Sequence, residues 1–146
     1  MSGADVNAVL PDGNNTLLLH ASQRGSEKCV RALIAAGADV NKAMIGELVT
    51  PLHFAANSGH EAVIRALIAG GADFNSGDGF GATPLFLAAQ EGREAAARAL
   101  IAAGAEVNKA TRCVQTPLTA ASYLNHDAVA RMLRDAGARL EAGTVI

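Results

Sequence analysis

The sequence is poor in aromatic residues, with no tryptophan, one tyrosine and four phenylalanines. Half of its residues are nevertheless apolar, and many of these are alanines. Large aromatic side chains supply much of the apolar area of an ordinary globular core. A core of small side chains suits elements that pack at close range, so the composition predicts secondary structure stacked layer on layer.

The sequence also lacks a large excess of one charge sign, and it lacks long apolar runs. The formal net charge is −2, so we expect no nucleic-acid partner, which would need clustered Lys and Arg. No apolar run approaches the ~20 residues of a membrane helix, and no signal peptide is visible, so we expect no membrane partner. The two cysteines, Cys29 and Cys113, are expected to be reduced thiols of an intracellular protein, cytoplasmic or nuclear.

Two short motifs recur with a common spacing of 33 or 34 residues. The first is GADVN, found at 37–41 and, with variations, at 3–7, 71–75, 104–108 and 137–141. The second is TPLHFAA, found at 50–56 and, with variations, at 16–22, 83–89 and 116–122. Because two independent motifs keep one period, chance is a poor explanation, and the sequence indicates an internal repeat.

Each copy of the repeat predicts two helices. In the second copy, the Thr50 hydroxyl can cap a helix whose first position is Pro51, and Gly59 favours its end. A second helix over 61–69 then stops at the glycine of the next GAD motif. The residues between that motif and the following Thr-Pro predict a loop or hairpin.

The period, the TPLHFAA motif and the closing GADVN together resemble the ankyrin repeat. The resemblance implies a mainly α fold, a solenoid of stacked antiparallel helix pairs with projecting β-hairpin or loop fingers. It also implies a structural role for His53, which would help to tie helices to hairpins. We interpret 1–146 as one domain with copies at about 8–41, 42–75, 76–108 and 109–141, a remnant of an earlier copy at 1–7 and a tail at 142–146.

The two ends of the array differ. Arg134 occupies the position of Ile34, Ile68 and Ile101 in the earlier copies, and a terminal repeat needs a polar outer face. We therefore expect the fourth copy to be the C-terminal cap. The first copy lacks this device, and two hypotheses fit: the chain is a fragment of a longer protein, or it self-associates through an uncapped N-terminal repeat.

The third copy carries Ala96 and Ala97 where the second has Val63 and Ile64. Such changes cost ~2–5 kcal/mol each in a core that does not compensate. We expect local repacking, with Phe86 and Leu87 refilling part of the volume.

Two further positions are interpreted from their equivalents in other copies. Cys29 occupies the position of Val63, which predicts a small buried side chain. The second helices repeat an acidic residue four positions before an arginine, which predicts a solvated face with paired charges rather than a phosphate-binding stripe. The pairs are Glu27–Arg31, Glu61–Arg65, Glu94–Arg98 and Asp127–Arg131.

Catalytic chemistry has no support in the sequence. A metal site needs several ligands that converge on one point, whereas His60 and His126 lie two copies apart. The glycines at 77, 79 and 81 lack the strand-to-helix setting of a phosphate loop, and we expect them to serve turn geometry. We expect no enzyme activity, no metal and no cofactor.

The resemblance implies a protein-binding module that uses its fingers and the groove beside the first helices. The alternatives are a regulatory ankyrin segment of a larger protein, and a small-ligand or nucleic-acid binder. Met44, Ile45, Leu48 and Val49 are unusually apolar for a finger, and either they contact a partner or Leu48 and Val49 fold back on the neighbouring finger. The partner-binding positions carried over from the family are Leu10, Asn14, Met44, Ile45, Glu47, Leu48, Val49, Asn57, Phe80, Gln90, Arg112, Val114, Tyr123 and Leu124.

The last three residues, Thr144, Val145 and Ile146, resemble a C-terminal ligand of PDZ domains, which bind such tails by strand addition. Tripeptides of this type are also common by chance.

Overall fold

A computed structural model of the chain describes residues 6–11 and 15–139. In these ranges the chain forms eight α-helices, α1 (Leu17–Arg24), α2 (Glu27–Ala35), α3 (Pro51–Ser58), α4 (Glu61–Ala69), α5 (Pro84–Glu91), α6 (Glu94–Ala103), α7 (Pro117–Tyr123) and α8 (Asp127–Asp135). Consecutive helices form four pairs, here called layers one to four. Helices α1, α3, α5 and α7 stack in one row, and α2, α4, α6 and α8 stack in a second. The predicted mainly α stack of helix pairs is confirmed.

Threonine caps begin the first helix of every layer. The side-chain oxygens of Thr16, Thr50, Thr83 and Thr116 each accept a hydrogen bond from the backbone N–H three residues later. Proline follows the threonine in layers two to four, where its missing N–H costs nothing. The start of these helices is therefore a local property of the sequence.

The glycine of each GAD motif ends the second helix of its layer. Gly37, Gly71, Gly104 and Gly137 have φ between 95 and 103°, a left-handed conformation that a side chain would disfavour. The chain leaves each second helix at this residue and turns towards the next layer, as the repeat predicted.

The core is made mostly of leucines and alanines, with a few valines and Ile64, packed between layers. Ala55, Ala56, Ala88 and Ala89 are completely buried, together with Leu67 and other leucines. Small side chains on the first helices let successive layers approach closely, which agrees with the scarcity of aromatic residues. No helix of the described ranges is long and apolar enough to cross a membrane.

The expected refilling of the third layer is wrong. Ala96 and Ala97 are fully buried in the main core cluster. Phe86 and Leu87 instead belong to a second cluster, which they form with Ala82 and Ala120. Ala82 lies in a loop and Ala120 on α7, so these large side chains fill the space beside the loops.

The expected burial of Cys29 is also wrong, because this residue is exposed. Val63, at the equivalent position, is 1% exposed because layer one covers it. No described helix covers the corresponding side of layer one. A residue of the first copy can therefore be exposed although its equivalents in later copies are buried.

Two of the four acid–arginine pairs form. Arg31 Nε lies 2.7 Å from Glu27 Oε2, and Arg65 Nη2 lies 2.5 Å from Glu61 Oε2. Within the described ranges, Glu94–Arg98 and Asp127–Arg131 form no ion pair. An exposed ion pair is little more stable than the same two side chains hydrated separately. The same sequence spacing therefore does not always give an ion pair.

Candidate binding surface

Between the layers the chain forms three loops, which we call finger two (42–50), finger three (76–83) and finger four (109–116). Finger two closes when Met44 N–H donates to the Val49 carbonyl at 2.7 Å and Leu48 N–H donates to the Met44 carbonyl at 3.0 Å. These bonds leave Ile45 at the turn with 63% of its surface exposed. Leu48 is 50% exposed, whereas Val49 is half-buried.

Finger three is organised by Asp78. Its Oδ1 accepts hydrogen bonds from the N–H groups of Phe80 at 2.9 Å and Ala82 at 3.0 Å, and its own N–H donates to the Ala82 carbonyl. An aspartate that bonds to the backbone two residues later is a common turn device. The turn holds Phe80 outward with 78% of its surface exposed.

Finger four repeats the arrangement with a threonine. The Thr111 N–H donates to the Gln115 carbonyl at 2.8 Å, and Thr111 Oγ1 accepts from the Gln115 N–H at 3.2 Å. Val114 lies at the turn and is 59% exposed. Cys113 is exposed beside it.

The three fingers are joined through their backbones. Gly79 N–H donates to the Glu47 carbonyl at 2.8 Å, and Arg112 N–H donates to the Phe80 carbonyl at 2.9 Å. A Cβ added to Gly79 would lie 3.2 Å from the Glu47 oxygen, so glycine permits this close approach. The glycines of finger three therefore serve contact between fingers as well as turn geometry.

The tips of the joined fingers carry four exposed apolar side chains, which we call the apolar ridge: Ile45, Leu48, Phe80 and Val114. Two of them also have left-handed backbones, with φ of 58° at Leu48 and 62° at Val114. This region disfavours residues other than glycine, and most strongly a β-branched residue such as valine.

A cleft of about 260 Å³ opens between finger three, finger four and α5. Phe80 and Gln90 were predicted as site residues, and both line it. The predicted site residues did not include the other residues that line the cleft. Asp78, Ala82, Cys113 and Gln115 lie at finger positions of the family, whereas no family position pointed to Phe86, Leu87 and Thr111. The run of large side chains at 85–87 was the available signal, but it was assigned to the core.

The other predicted positions lie outside this cleft. Tyr123 is 84% exposed and Leu124 45% exposed at the end of α7, and Asn57 is exposed near the end of α3. Glu47 and Arg112 are exposed on their fingers, whereas Leu10, Met44 and Val49 are half-buried. Asn14 and the C-terminal residues 144–146 fall outside the described ranges.

His53 holds finger three in place. Its Nδ1 lies 3.1 Å from the Thr50 backbone N and 2.7 Å from Thr50 Oγ1, and its Nε2 lies 2.8 Å from the Ala82 carbonyl oxygen. Burial lowers the pKa of this imidazole, against the opposing effect of the Ala82 hydrogen bond. The predicted role in tying a helix to a finger is confirmed.

A second set of bonds joins the layers at the start of α4, α6 and α8. Nε2 of His60 and of His126 lies 3.2 and 3.0 Å from the carbonyl oxygens of Gln23 and Gln90, respectively. Arg93 Nε donates to the Asn57 carbonyl at 3.1 Å. These contacts fix the ends of the first helices, where Asn57 and Gln90 lie. In the described ranges no group of three or more His, Cys, Asp or Glu residues could hold a metal ion.

Comparison with protein families agrees with this architecture. The family described as ankyrin repeats (3 copies) matches residues 1–78 and, in a second overlapping match, residues 52–143. No curated protein matches the sequence.

Proposed function

Because this chain belongs to the ankyrin-repeat family, whose members are generally protein–protein interaction modules, we propose that it is a non-catalytic module that binds a partner protein through its fingers and the adjoining ends of its first helices. The finger positions and the exposed residues Asn57, Tyr123 and Leu124 would form one contact surface. The partner would be a protein with apolar side chains at its contact.

The apolar ridge is the observation that carries this proposal. Four large apolar side chains that are at least half exposed lie on three hydrogen-bonded loops. Exposed apolar patches are unfavourable in water and commonly mark interaction sites. The strained backbones of Leu48 and Val114 add a second unfavourable feature at the same place, and such strain often accompanies function.

The cleft favours a protein partner over a small ligand. Its volume of about 260 Å³ is below the roughly 300–1,000 Å³ of typical small-molecule sites. It can take one anchoring side chain, with Phe80, Phe86 and Leu87 as apolar walls and Gln90 as a polar partner. Anchors of this kind supply much of the binding free energy at protein interfaces.

The state of the histidines supports a non-catalytic role. His53 combines burial with a lowered pKa, the combination expected of a catalytic group. Both of its ring nitrogens are engaged with Thr50 and Ala82, so it has no free nitrogen to offer a substrate. His60 and His126 each engage a backbone carbonyl of the preceding layer.

Affinity capture from a cell extract tests the proposal. The intact chain is compared with a variant that carries Met44→Ser, Ile45→Ser and Leu48→Ser. The matched control carries Ala62→Ser, Ala69→Ser and Ala128→Ser, three exposed positions on the second helices. We expect the finger variant to lose proteins that the intact chain and the control both retain. Equal capture by all three would contradict the proposed surface.

A further inference from the structure

The tips of the fingers are exposed in the middle of the array as well as towards its ends. Finger three has a finger on either side, joined to it by the bonds from Gly79 to Glu47 and from Arg112 to Phe80. Phe80 is nevertheless 78% exposed, and Leu48 on finger two is 50% exposed although finger three follows it. Neighbouring layers therefore leave the apolar ridge uncovered, and a surface that covers it must come from outside the row of fingers.

The bonds between fingers align corresponding side chains into a row. Glu47 and Phe80 each accept the bond from the next finger through their carbonyls. Cys113 lies at the same position of finger four, three residues before a capping threonine. The residue after each of these three has a left-handed backbone. Leu48 and Val114 take that next position in fingers two and four, and both are at least half exposed.

The two ends of the ridge carry opposite charges. Glu47 is exposed on finger two, directly before Leu48. Arg112 is exposed on finger four, and a Cβ added to Gly81 would lie 3.3 Å from its Cγ, so its side chain begins next to Phe80. Neither charge forms an ion pair within the described part of the chain. An anion at one end, a phenylalanine in the middle and a cation at the other end make the ridge complementary to itself in reverse order.

We propose that the apolar ridge is covered by the apolar ridge of a second copy of this chain, with the order of the fingers reversed. Finger two of one copy lies on finger four of the other, and the two third fingers meet at a two-fold axis. This proposal rests on the ridge being a contact surface, as the proposed function does. The second copy and the partner compete for the ridge, so self-association regulates access to it.

The reversed order pairs side chains of matching chemistry. The Phe80 side chains of the two copies meet at the axis, and aromatic pairs are favourable in offset or edge-to-face arrangements. Leu48 of one copy lies against Val114 of the other, and Glu47 of one copy lies beside Arg112 of the other at both ends. Because each copy presents the same surface, the contact closes at two chains.

Charge selects the reversed order of fingers over the direct one. With finger two on finger two, the Glu47 carboxylates of the two copies would face each other, and so would the two Arg112 guanidinium groups. Like charges that face each other across a contact suppress binding. The reversed order replaces both repulsions with attractions.

The small size of the ridge predicts a weak dimer. Its four apolar side chains are far fewer than the roughly 20–30 residues that each partner contributes to a stable interface. We therefore expect association between about 10 µM and 1 mM, in a range where a bound partner displaces the second copy. Sedimentation of the purified chain over this range measures the association.

The two cysteines report where the copies meet. Cys113 lies in the row of the ridge, opposite Glu47 of the other copy, whereas Cys29 lies on α2, and both are exposed in the single chain. The initial labelling rate of each thiol by a maleimide is followed by peptide mass spectrometry at each protein concentration. As the dimer forms, labelling of Cys113 slows by roughly fivefold while labelling of Cys29 stays constant, because only the monomer exposes the thiol on finger four.

Charge reversal tests the order of the fingers. Glu47→Arg and Arg112→Glu each place like charges together at both ends of the dimer, so each should weaken association by about tenfold or more. The double variant restores opposite charges and should recover the association of the intact chain. Arg98→Glu, at an exposed position of α6, makes the same change in net charge as Arg112→Glu and should leave association unchanged. Circular dichroism checks that each variant folds.

Two results would overturn the proposal. The first is sedimentation as a monomer up to about 1 mM with a constant Cys113 labelling rate. The second is association that protects Cys29 instead, or that the double charge variant does not restore. These measurements use the purified chain alone, so they are separate from the capture experiment. Loss of captured proteins by the finger variant without any dimer would contradict the dimer and leave the partner-binding role supported.

Discussion

The hydroxyl of Ser22 is buried without a hydrogen-bond partner on α1. Alanine occupies the equivalent position in layers two and three, as Ala56 and Ala89, and both are fully buried. An unsatisfied buried hydroxyl costs ~1–3 kcal/mol, so Ser22→Ala should raise the free energy of unfolding by about 1 kcal/mol. Denaturant unfolding measures this change.

Ser122 provides the matched control, because it occupies the same position in layer four and is exposed. Ser122→Ala should change the unfolding free energy by less than about 0.5 kcal/mol. Similar effects of the two substitutions would show that burial of the Ser22 hydroxyl is not the cause.

We expect His53 to make the stability of the fold depend on pH. Desolvation by burial lowers its pKa below the ordinary value of 6.5, against the opposing effects of the Ala82 hydrogen bond and of Asp78 and Asp73. The unfolded chain therefore binds a proton more readily than the folded chain. The contribution of neutral His53 is complete above pH 6.5 and is lost as the pH falls from there towards the folded-state pKa.

We expect the unfolding free energy to fall between pH 7 and pH 5, with His53 contributing at most about 1.4 kcal/mol per pH unit. Denaturant unfolding at several pH values measures the slope. His53→Gln should reduce it, and His20→Gln, at an exposed position, should leave it unchanged. An unaltered slope in His53→Gln would show that another group causes the dependence.

One residue of finger four, Val114, has both an exposed side chain and an unfavourable backbone conformation. Val114 has a φ of 62°, and such a conformation costs roughly 1–2 kcal/mol for residues other than glycine. Val114→Gly should raise the unfolding free energy by up to about 1 kcal/mol, after allowance for the greater chain entropy of glycine. The same variant should bind a partner more weakly, because it removes part of the apolar ridge.

The neighbouring residue provides the comparison for this finger. Gln115 is exposed and has no left-handed backbone, so Gln115→Gly should lower the stability slightly. Denaturant unfolding of both variants gives the comparison. A loss of stability in Val114→Gly as large as that in Gln115→Gly would argue against strain at this turn.

The helices were predictable from the sequence because their signals are local. The Thr-Pro pair and the glycine of GAD act through the hydrogen bonds and φ angles of a few neighbouring residues. The finger contacts were not predictable in the same way. The bonds from Gly79 to Glu47 and from Arg112 to Phe80 join residues of different fingers, and their motifs do not recur from copy to copy.

The repeat also misled where burial depends on a neighbouring layer. Cys29 was expected to be buried like Val63, but the covering layer is a property of the whole array and not of the position. Phe86 and Leu87 were expected to fill space beside Ala96, whereas they turn towards Ala82 and Ala120. On α5 these two side chains are directed towards the fingers. The repeat period of the sequence does not show in which direction a side chain points.

Across the whole molecule, a ladder of asparagines joins the layers. The side-chain oxygens of Asn7, Asn41, Asn75 and Asn108 accept hydrogen bonds of 2.6–2.9 Å from the backbone N–H groups of Asp39, Asp73, Glu106 and Arg139, respectively. The sequence showed that this asparagine recurs, but its contact to the next layer appears only in three dimensions. Each layer is thus hydrogen-bonded to the next, which holds the fingers between the layers in constant positions relative to one another.

Affinity measured against a partner captured by the intact chain tests the central claim, that the apolar ridge is the binding surface. Titration calorimetry would compare the intact chain with Phe80→Ala and with Ala62→Ser as the control on the second helices. Phe80 is 78% exposed and lines the cleft, so the account predicts a loss of at least about 2 kcal/mol, roughly thirtyfold in Kd, for this variant alone. An unchanged Kd for Phe80→Ala would contradict it.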